Sequence, residues 1–313
     1  MHAHSLNHSH LEETAQQSAT RLSIALFITF AFVIIEATAG VFSNSLALLT
    51  DAAHNLTDVI ALCLSWVAIR LTTRPANERK TYGYHRAGIL VAFINSMTLI
   101  LIAFVIFYEA WHRLLLPPEV RSGILIIVGL IAFVINLVTA LLVHRGSEHD
   151  LNLRSTFVHL MGDVLSTIGA VVAGIIIYFT GANWLDPLVS ILIAAVILYN
   201  AWKILRDAVD ILLESTPRDI DSTRLVEDML RVHGVLGVHD LHIWSLTQSL
   251  RTMSAHVLTD NLSISDGANI QRLINEMVYH NYNITHATLQ LECADCLPSS
   301  LYCDLNNQIL LDK

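Results

Sequence analysis

The stretch LALLTDAAHNLTDVIALCLSWVAI, residues 46–69, is long and apolar enough to cross a membrane as one helix. Four polar residues recur in it at helical spacing, namely Asp51, His54, Asn55 and Asp58. They fall within an arc of roughly 100° on one side of the helix. An unpaired Asp in such a segment costs about 2.5–3.5 kcal/mol on insertion scales, so this polar face predicts a functional site.

The same His-x-x-x-Asp spacing recurs as His159 and Asp163, within the apolar stretch 155–180. Residues at this spacing share one helix face, so each pair presents an imidazole and a carboxylate together. Two facing pairs would supply two nitrogens and two oxygens, a tetrahedral set that suits Zn²⁺. By these helix boundaries the two carboxylates differ in depth, because Asp58 lies about 12 residues from the cytoplasmic end of its helix and Asp163 only about 8. Helix tilt, displaced boundaries or a second span projecting into the cytoplasm would account for that difference.

The composition is typical of a membrane protein. Of 313 residues, 54% are hydrophobic and 14% charged, against about 25% charged residues in soluble domains. Six segments reach the ~20 residues that a spanning helix needs, namely residues 22–42, 46–69, 88–111, 123–143, 155–180 and 185–205. Lys and Arg flank these spans ten to two in favour of one side, with Arg113 and Arg121 on the other. This bias predicts that both termini are cytoplasmic.

Two further regions flank the membrane domain, which we assign to residues 21–206. Residues 1–20 predict a disordered cytoplasmic arm with four histidines, which either collects metal weakly or is a spacer. Residues 207–313 predict a small α+β domain in the order α-β-β-α-β, with both helices on one face of the sheet. Its elements are a helix to about residue 232 capped by Asp221 or Ser222, strands at 235–246 and 250–258, a helix to about 282 capped by Ser265, and a strand at 286–293.

Several function classes are disfavoured. The net charge of −9 gives no basic surface for nucleic acid. The four cysteines lie in the second span or the cytoplasmic tail, where disulfides are not expected. The sequence contains no Walker-type G-x₄-G-K-[ST] motif, which argues against ATP as the energy source.

Five motifs in this order resemble the cation diffusion facilitator family, and most closely its bacterial zinc exporters. They are the run 45–58, the run 157–163 (FVHLMGD), Tyr82-Gly-Tyr-His85-Arg86, Leu185-Asp186-Pro187 and the run 237–244 (GVHDLHIW). The resemblance implies a homodimeric metal–proton antiporter with six spans and a metallochaperone-like cytoplasmic domain. It also implies that His54, Asp58, His159 and Asp163 form the transport site, and that His at the first position favours zinc. The short loop 144–154 is unlike the His-rich loop of vesicular relatives and favours a bacterial plasma (inner) membrane.

The resemblance also implies a regulatory zinc site in the tail. His239, His256 and Glu292 match ligand positions of the family, and His286 matches a common family residue. The alternative is that these are ordinary surface histidines and a strand-end carboxylate. Cys293 and Cys296 form a C-x₂-C pair that would add thiolate ligands, which is a weaker indication.

These observations predict a proton-driven Zn²⁺ exporter, with zinc as substrate and as regulatory ligand, and with no organic cofactor. Cd²⁺ is a further expected substrate. An intramembrane zinc enzyme is the rival hypothesis, but the sequence has no H-E-x-x-H, and four protein ligands leave no position for water. A membrane zinc sensor is the third. Glu36 and Asp51 fit either an ion pathway or helix packing, and Asp186 is a further polar group near a span.

Overall fold

The computed structural model describes residues 29–72, 74–147 and 151–293. Apolar helices fill the first two-thirds of this part of the chain. They are α1 (Thr29–Ser43), α2 (Leu46–Thr72), α3 (Ala87–Leu115), α4 (Ser122–Ser147), α5 (Leu151–Thr180) and α6 (Leu185–Leu212). The helices α2 to α6 are each long and apolar enough to span a membrane. This confirms five of the expected spans. Of the first expected span, 22–42, residues 22–28 lie outside the described residues.

Small residues let neighbouring helices approach closely. A Cβ on Gly129 would lie 2.8 Å from the Val171 side chain, and one on Gly174 would lie 3.0 Å from Ile126. Both positions therefore favour glycine because α4 and α5 pack backbone to side chain there. Gly174 of α5 thus serves contact with α4, whereas Ser166 of the same helix faces α2.

The C-terminal domain has the predicted order α-β-β-α-β. It consists of α7 (Ser222–Leu230), β1 (Val235–Ser245), β2 (Arg251–Thr259), α8 (Ile264–Tyr282) and β3 (Ile284–Cys293). The sheet order is β1-β2-β3, with β1 antiparallel and β3 parallel to β2. Asp221 caps α7 as expected by accepting hydrogen bonds from the backbone of Thr223 and Arg224. Ser263, and not Ser265, caps α8.

The two helices of this domain cover one face of the sheet. Leu225 and Met229 of α7, with Ile274 of α8, are fully buried in one core with Met253 and Val257 of β2. Side chains alternate along a strand, so Ser254 and His256 of β2 lie on the opposite face. That second face, left uncovered by α7 and α8, is where the predicted metal-binding residues of β2 lie.

The chain groups into two compact units, each with its own packing. Among the described residues, one comprises 29–66 and 94–204, and the other comprises 67–93 and 205–293. The α2–α3 loop therefore belongs with the C-terminal domain. The helix α6 runs unbroken past residue 207, where the sequence predicts a domain boundary.

Candidate metal sites

The first candidate site joins α2 and α5 around His54. The His54 imidazole is buried, with 8% of the residue exposed. Its Nε2 lies 3.7 Å from Oδ2 of Asp58 on the same helix and 3.3 Å from Oδ1 of Asp163 on α5. The structure thus brings together three of the four residues predicted for the intramembrane site. His159 lies one helical turn before Asp163 on α5, and its side chain is outside the described residues.

These separations fit shared coordination of one ion. Two ligand atoms at about 2.0–2.1 Å from a tetrahedral Zn²⁺ lie about 3.3 Å apart. The distances from His54 Nε2 to the two carboxylates are 3.3 and 3.7 Å, so a small movement of Asp58 toward His54 would bring both to this separation. Nitrogen and carboxylate oxygen are both donors that zinc accepts. The three side chains are therefore suited to a divalent cation and carry two negative charges toward it.

His54 of α2 and Asp163 of α5 lie at the same depth, since their side chains are in contact. The helix α5 begins at Leu151, four residues before the predicted boundary at 155, so Asp163 lies further from the start of its helix than predicted. The helix α2 also continues beyond its predicted end, to Thr72 rather than 69, which moves Asp58 further from its own helix end. Because these two extensions act in opposite directions, the match in depth follows from how α2 and α5 pack at His54 and Asp163.

A chain of buried polar groups connects this site to α1. Ser166 Oγ of α5 lies 3.2 Å from Asp51 Oδ1 and 2.9 Å from the backbone oxygen of Asp163. The Asn55 amide donates to Asp51 Oδ2 at 3.4 Å and to Glu36 Oε2 at 3.2 Å. Glu36 is fully buried and Asp51 is 3% exposed. The sequence singled out Glu36 and Asp51 but not this role of Ser166, although its spacing of one turn from Asp163 places both on one helix face.

Asp186 has a different role, at the start of α2. Its Oδ1 accepts a hydrogen bond from Ser45 Oγ at 2.6 Å, and its Oδ2 accepts one from the backbone N–H of Leu46 at 2.6 Å. A third, longer bond of 3.3 Å comes from the N–H of Ala47. The first N–H groups of a helix have no partner within the helix, and a carboxylate is a strong acceptor for them. Asp186, from the first turn of α6, therefore caps α2 and fixes these two helices together.

The second candidate site lies on the uncovered face of the C-terminal sheet. His239 of β1 is paired with His256 of β2, and their ring centroids are 5.1 Å apart. Glu292 of β3 reaches both, with 3.0 Å from Oε2 to His239 Nε2 and 2.8 Å from Oε1 to His256 Nδ1. One ligand atom from each of the three residues lies within 4.8 Å of the others. Two imidazoles and a carboxylate form a donor set that zinc sites use.

A bulge in β1 brings a further carboxylate to this cluster. The register shifts between His239 and His242, and Asp240 has a φ of 50°, a left-handed conformation that non-glycine residues seldom adopt. Its carboxylate lies 3.2 Å from His242 Nε2 and 3.5 Å from His256 Nε2. The alternation of a regular strand does not predict this arrangement.

The structure does not bring His286 or Cys293 into the cluster. His286 pairs with Thr252, whereas Glu292 pairs with Leu258, so the two are separated by most of the length of β3. The His286 ring instead lies 6.3 Å from the ring of Tyr82. Cys293 is exposed at the end of β3 and follows Glu292 directly, so the two side chains point to opposite faces. Cys296 lies outside the described residues.

Comparison with known proteins decides the family. The model of the cation efflux transmembrane domain matches residues 22–213, and that of the cation efflux protein cytoplasmic domain matches residues 217–294. This chain belongs to the cation efflux family. The "Cadmium, cobalt and zinc/H(+)-K(+) antiporter" of Bacillus subtilis is 39% identical over 290 residues, 92% of each chain.

Two further relatives have similar coverage. The "Zinc transporter ZitB" of Escherichia coli is 36% identical over 297 residues, 94% of this chain and 93% of its own. The "Metal cation efflux system protein CzcD" of Cupriavidus metallidurans is 36% identical over 275 residues, 88% of this chain and 87% of its own. Nearly the full length of each relative is therefore matched.

Membership of the cation efflux family confirms the predicted fold class, an α-helical membrane domain followed by a small α+β domain. It also confirms a multi-pass membrane transporter rather than an enzyme. The intramembrane enzyme and the zinc sensor gain no support from the family or from these relatives. The assignment of individual ligands remains a prediction.

Proposed function

We propose that this cation efflux protein exports Zn²⁺ from the cytoplasm in exchange for protons, with Cd²⁺ as a further substrate. The observation that carries the proposal is the meeting of His54 with carboxylates of two membrane helices, at distances that fit one ion. The relatives from Bacillus subtilis and Escherichia coli are named as transporters of zinc, and the former as an antiporter with protons. We assign His54, Asp58, His159 and Asp163 as the transport site.

Proton coupling follows from competition at one nitrogen atom. The same atom, His54 Nε2, faces both Asp58 and Asp163. A proton on this nitrogen would form ion pairs with both carboxylates, and a zinc ion bound by all three groups requires that the proton leave. An imidazole nitrogen holds either a proton or a metal ion, so binding of the one excludes binding of the other at this atom. Alternating exposure of this single site would exchange zinc for protons without a separate proton pathway.

We propose further that the cytoplasmic domain binds zinc through His239, His256 and Glu292. The carboxylate bridges both imidazoles at 2.8–3.0 Å, a compact donor set on the face that the two helices leave uncovered. We also propose that the protein is a homodimer of the bacterial inner membrane, with both termini in the cytoplasm. The excess of Lys and Arg on the side of the termini supports that orientation, and the matched cytoplasmic domain supports it independently.

Zinc flux in reconstituted vesicles tests the transport site. Asp58→Ala and Asp163→Ala should each abolish zinc transport, because each removes one ligand and half of the carboxylate charge in the site. Insertion and oligomeric state should be unchanged, which size-exclusion chromatography of the detergent-solubilised chain measures. The control is Asp219→Ala, which removes an exposed carboxylate paired with Arg251 in the C-terminal domain and should transport normally. Near-normal zinc flux in either site variant would refute the assignment.

Calorimetry on the fragment 207–313 tests the cytoplasmic site separately. The fragment has its own hydrophobic core, so we expect it to fold alone and to bind zinc. His256→Ala and Glu292→Ala should each remove binding, whereas His286→Ala should not, because His286 lies outside the cluster. If calorimetry detects no heat of binding at micromolar zinc for the wild-type fragment, the zinc-site assignment is wrong and these are ordinary surface residues.

A further inference from the structure

A cavity of about 740 Å³ lies within the compact unit formed by the α2–α3 loop and the C-terminal domain. The loop lines one side with Arg79, Lys80 and Arg86, and the uncovered face of the sheet lines the other with His242, Trp244 and Ser254, among others. Volumes of 300–1,000 Å³ are typical of sites for small ligands. The cavity lies outside the proposed transport site and beside the His239–His256–Glu292 cluster.

The charge of the lining is opposite to that of the whole chain. Three basic side chains, Arg79, Lys80 and Arg86, line the cavity, and among the described residues Glu214 is its one lining carboxylate. The chain as a whole carries a net charge of −9. A concave site with an excess of cations concentrates the field of these charges and favours an anion.

Local structure holds the cationic side chains in place. The Asn77 side-chain oxygen accepts hydrogen bonds from the backbone N–H groups of both Arg79 and Lys80, each at 3.0 Å. The turn then closes with a bond from Gly83 N to Lys80 O at 2.8 Å, where Gly83 has a φ of +71°. Lys80 Nζ also lies 5.0 Å from the centroid of the Tyr84 ring. The loop is thus preorganised, which lowers the entropic cost of binding an anion.

Glu214 orients the third cation at a cost in backbone energy. Its Oε1 accepts a hydrogen bond from Arg86 Nη2 at 2.9 Å. Glu214 has a φ of 58°, a left-handed conformation that is unfavourable for a non-glycine residue. Strained residues of this kind cluster at functional sites. The pairing engages one edge of the guanidinium, so Arg86 has further N–H donors for a ligand in the cavity.

We propose that this cavity binds a phosphate-bearing anion through Arg79, Lys80 and Arg86. Arginine forks and lysine ammonium groups are the side chains that bind phosphate. Hydroxyl groups of Thr81, Thr216 and Ser254 also line the cavity and can donate to phosphate oxygens. The loop joins the ends of two membrane spans, α2 at Thr72 and α3 at Ala87, so an anionic lipid headgroup can reach it. A soluble phosphate compound has the same chemistry and is the other source.

The test uses the full chain in detergent micelles, with binding measured by microscale thermophoresis. The probes are short-chain phosphatidylglycerol, short-chain phosphatidylcholine and inorganic phosphate. We expect phosphatidylglycerol to bind and phosphatidylcholine not to bind. The double variant Arg79→Ala/Lys80→Ala should weaken binding about thirtyfold, since each cation near a lipid surface contributes about one kcal/mol. Saturable phosphate binding with the same loss in the variant would assign the site to a soluble phosphate compound.

Two controls keep the result interpretable. Arg231→Ala/Arg272→Ala removes the same charge from α8 and the end of α7, and it should leave binding unchanged. Ser254→Trp fills the cavity from the sheet side without changing charge, and it should remove binding even if the first variant folds poorly. The proposal is overturned if neither anion binds, if phosphatidylcholine binds equally well, or if the control pair weakens binding as much as Arg79→Ala/Lys80→Ala.

Discussion

Asp186→Ala should destabilise the membrane domain by about 3 kcal/mol. In the wild type its carboxylate accepts two hydrogen bonds of 2.6 Å, from Ser45 Oγ and Leu46 N, and a third of 3.3 Å from Ala47 N. A hydrogen bond to a charged group contributes about 1.5–3 kcal/mol, and a long one contributes little. Two bonds at the lower value give about 3 kcal/mol, because removal of the buried carboxylate also relieves its desolvation.

Thermal unfolding of the full chain in detergent measures this loss. For a domain of this size each kcal/mol shifts the midpoint by roughly 2–4 °C, so we expect a decrease of roughly 6–12 °C. Ser45→Ala removes one hydrogen bond to Asp186 but keeps those from the N–H groups of Leu46 and Ala47. This variant should therefore lose only about 1 kcal/mol of stability. Glu276→Ala removes an exposed carboxylate paired with Arg272 on α8 and serves as the control, with a change within about 0.5 kcal/mol. If Asp186→Ala unfolds at the same temperature as the control variant, the assignment of Asp186 as a helix cap is wrong.

Three further predictions address the sites and the C-terminal domain. Ser166→Ala should lower zinc flux several-fold because it loosens the contact of α5 with α2. Thr139→Ala, at an exposed position of α4, is the control and should leave zinc flux unchanged. Equal flux in the two variants would refute this role of Ser166. His54→Asp should relax selectivity toward harder cations such as Mn²⁺, since an oxygen replaces a nitrogen ligand; an unchanged ranking of Zn²⁺, Cd²⁺ and Mn²⁺ in vesicle uptake counts against it. Burial and the hydrogen bond to Asp228 raise the pKa of Tyr282 to about 12. The stability that Tyr282 contributes is therefore complete below about pH 10 and is lost as the pH rises through 12, and Tyr282→Phe should abolish this dependence in chemical denaturation of the fragment 207–313.

Periodicity and residue chemistry singled out His54, Asp58 and Asp163, which the structure brings together in the intramembrane site. The spacing of His54 and Asp58 is enough to place both on one helix face, and their presence in apolar sequence marks them as functional. The spacing could not predict how deep each site residue lies in the membrane. A helix boundary predicted from hydropathy marks the end of the apolar stretch, and the helix can extend beyond it. The helix α5 begins at Leu151 and α2 continues to Thr72, so the depth of Asp163 relative to His54 follows from how the two helices pack and not from where they end.

Contacts between distant parts of the chain could not be predicted from local patterns. From the sequence, Asp186 is a polar residue at the start of a span. Its role as a helix cap depends on the packing of α6 against α2, which places its carboxylate at the N-terminus of α2. From the sequence, Ser166 is one of a run of small packing residues. The structure adds a polar contact, because its hydroxyl group lies beside Asp51. In the C-terminal domain the order of elements was predicted correctly, but the bulge at Asp240 shifts the register of β1, and regular alternation cannot reveal it.

Zinc flux against an imposed pH gradient tests the central claim most directly. The full chain is reconstituted in vesicles, and zinc movement is followed with an impermeant fluorescent indicator while an entrapped pH dye reports protons. We expect the wild type to move zinc opposite to protons, faster as the gradient steepens, and Asp163→Asn to move neither ion. Wild-type zinc flux that is indifferent to the gradient, with no proton movement, would contradict antiport at this site and indicate facilitated diffusion.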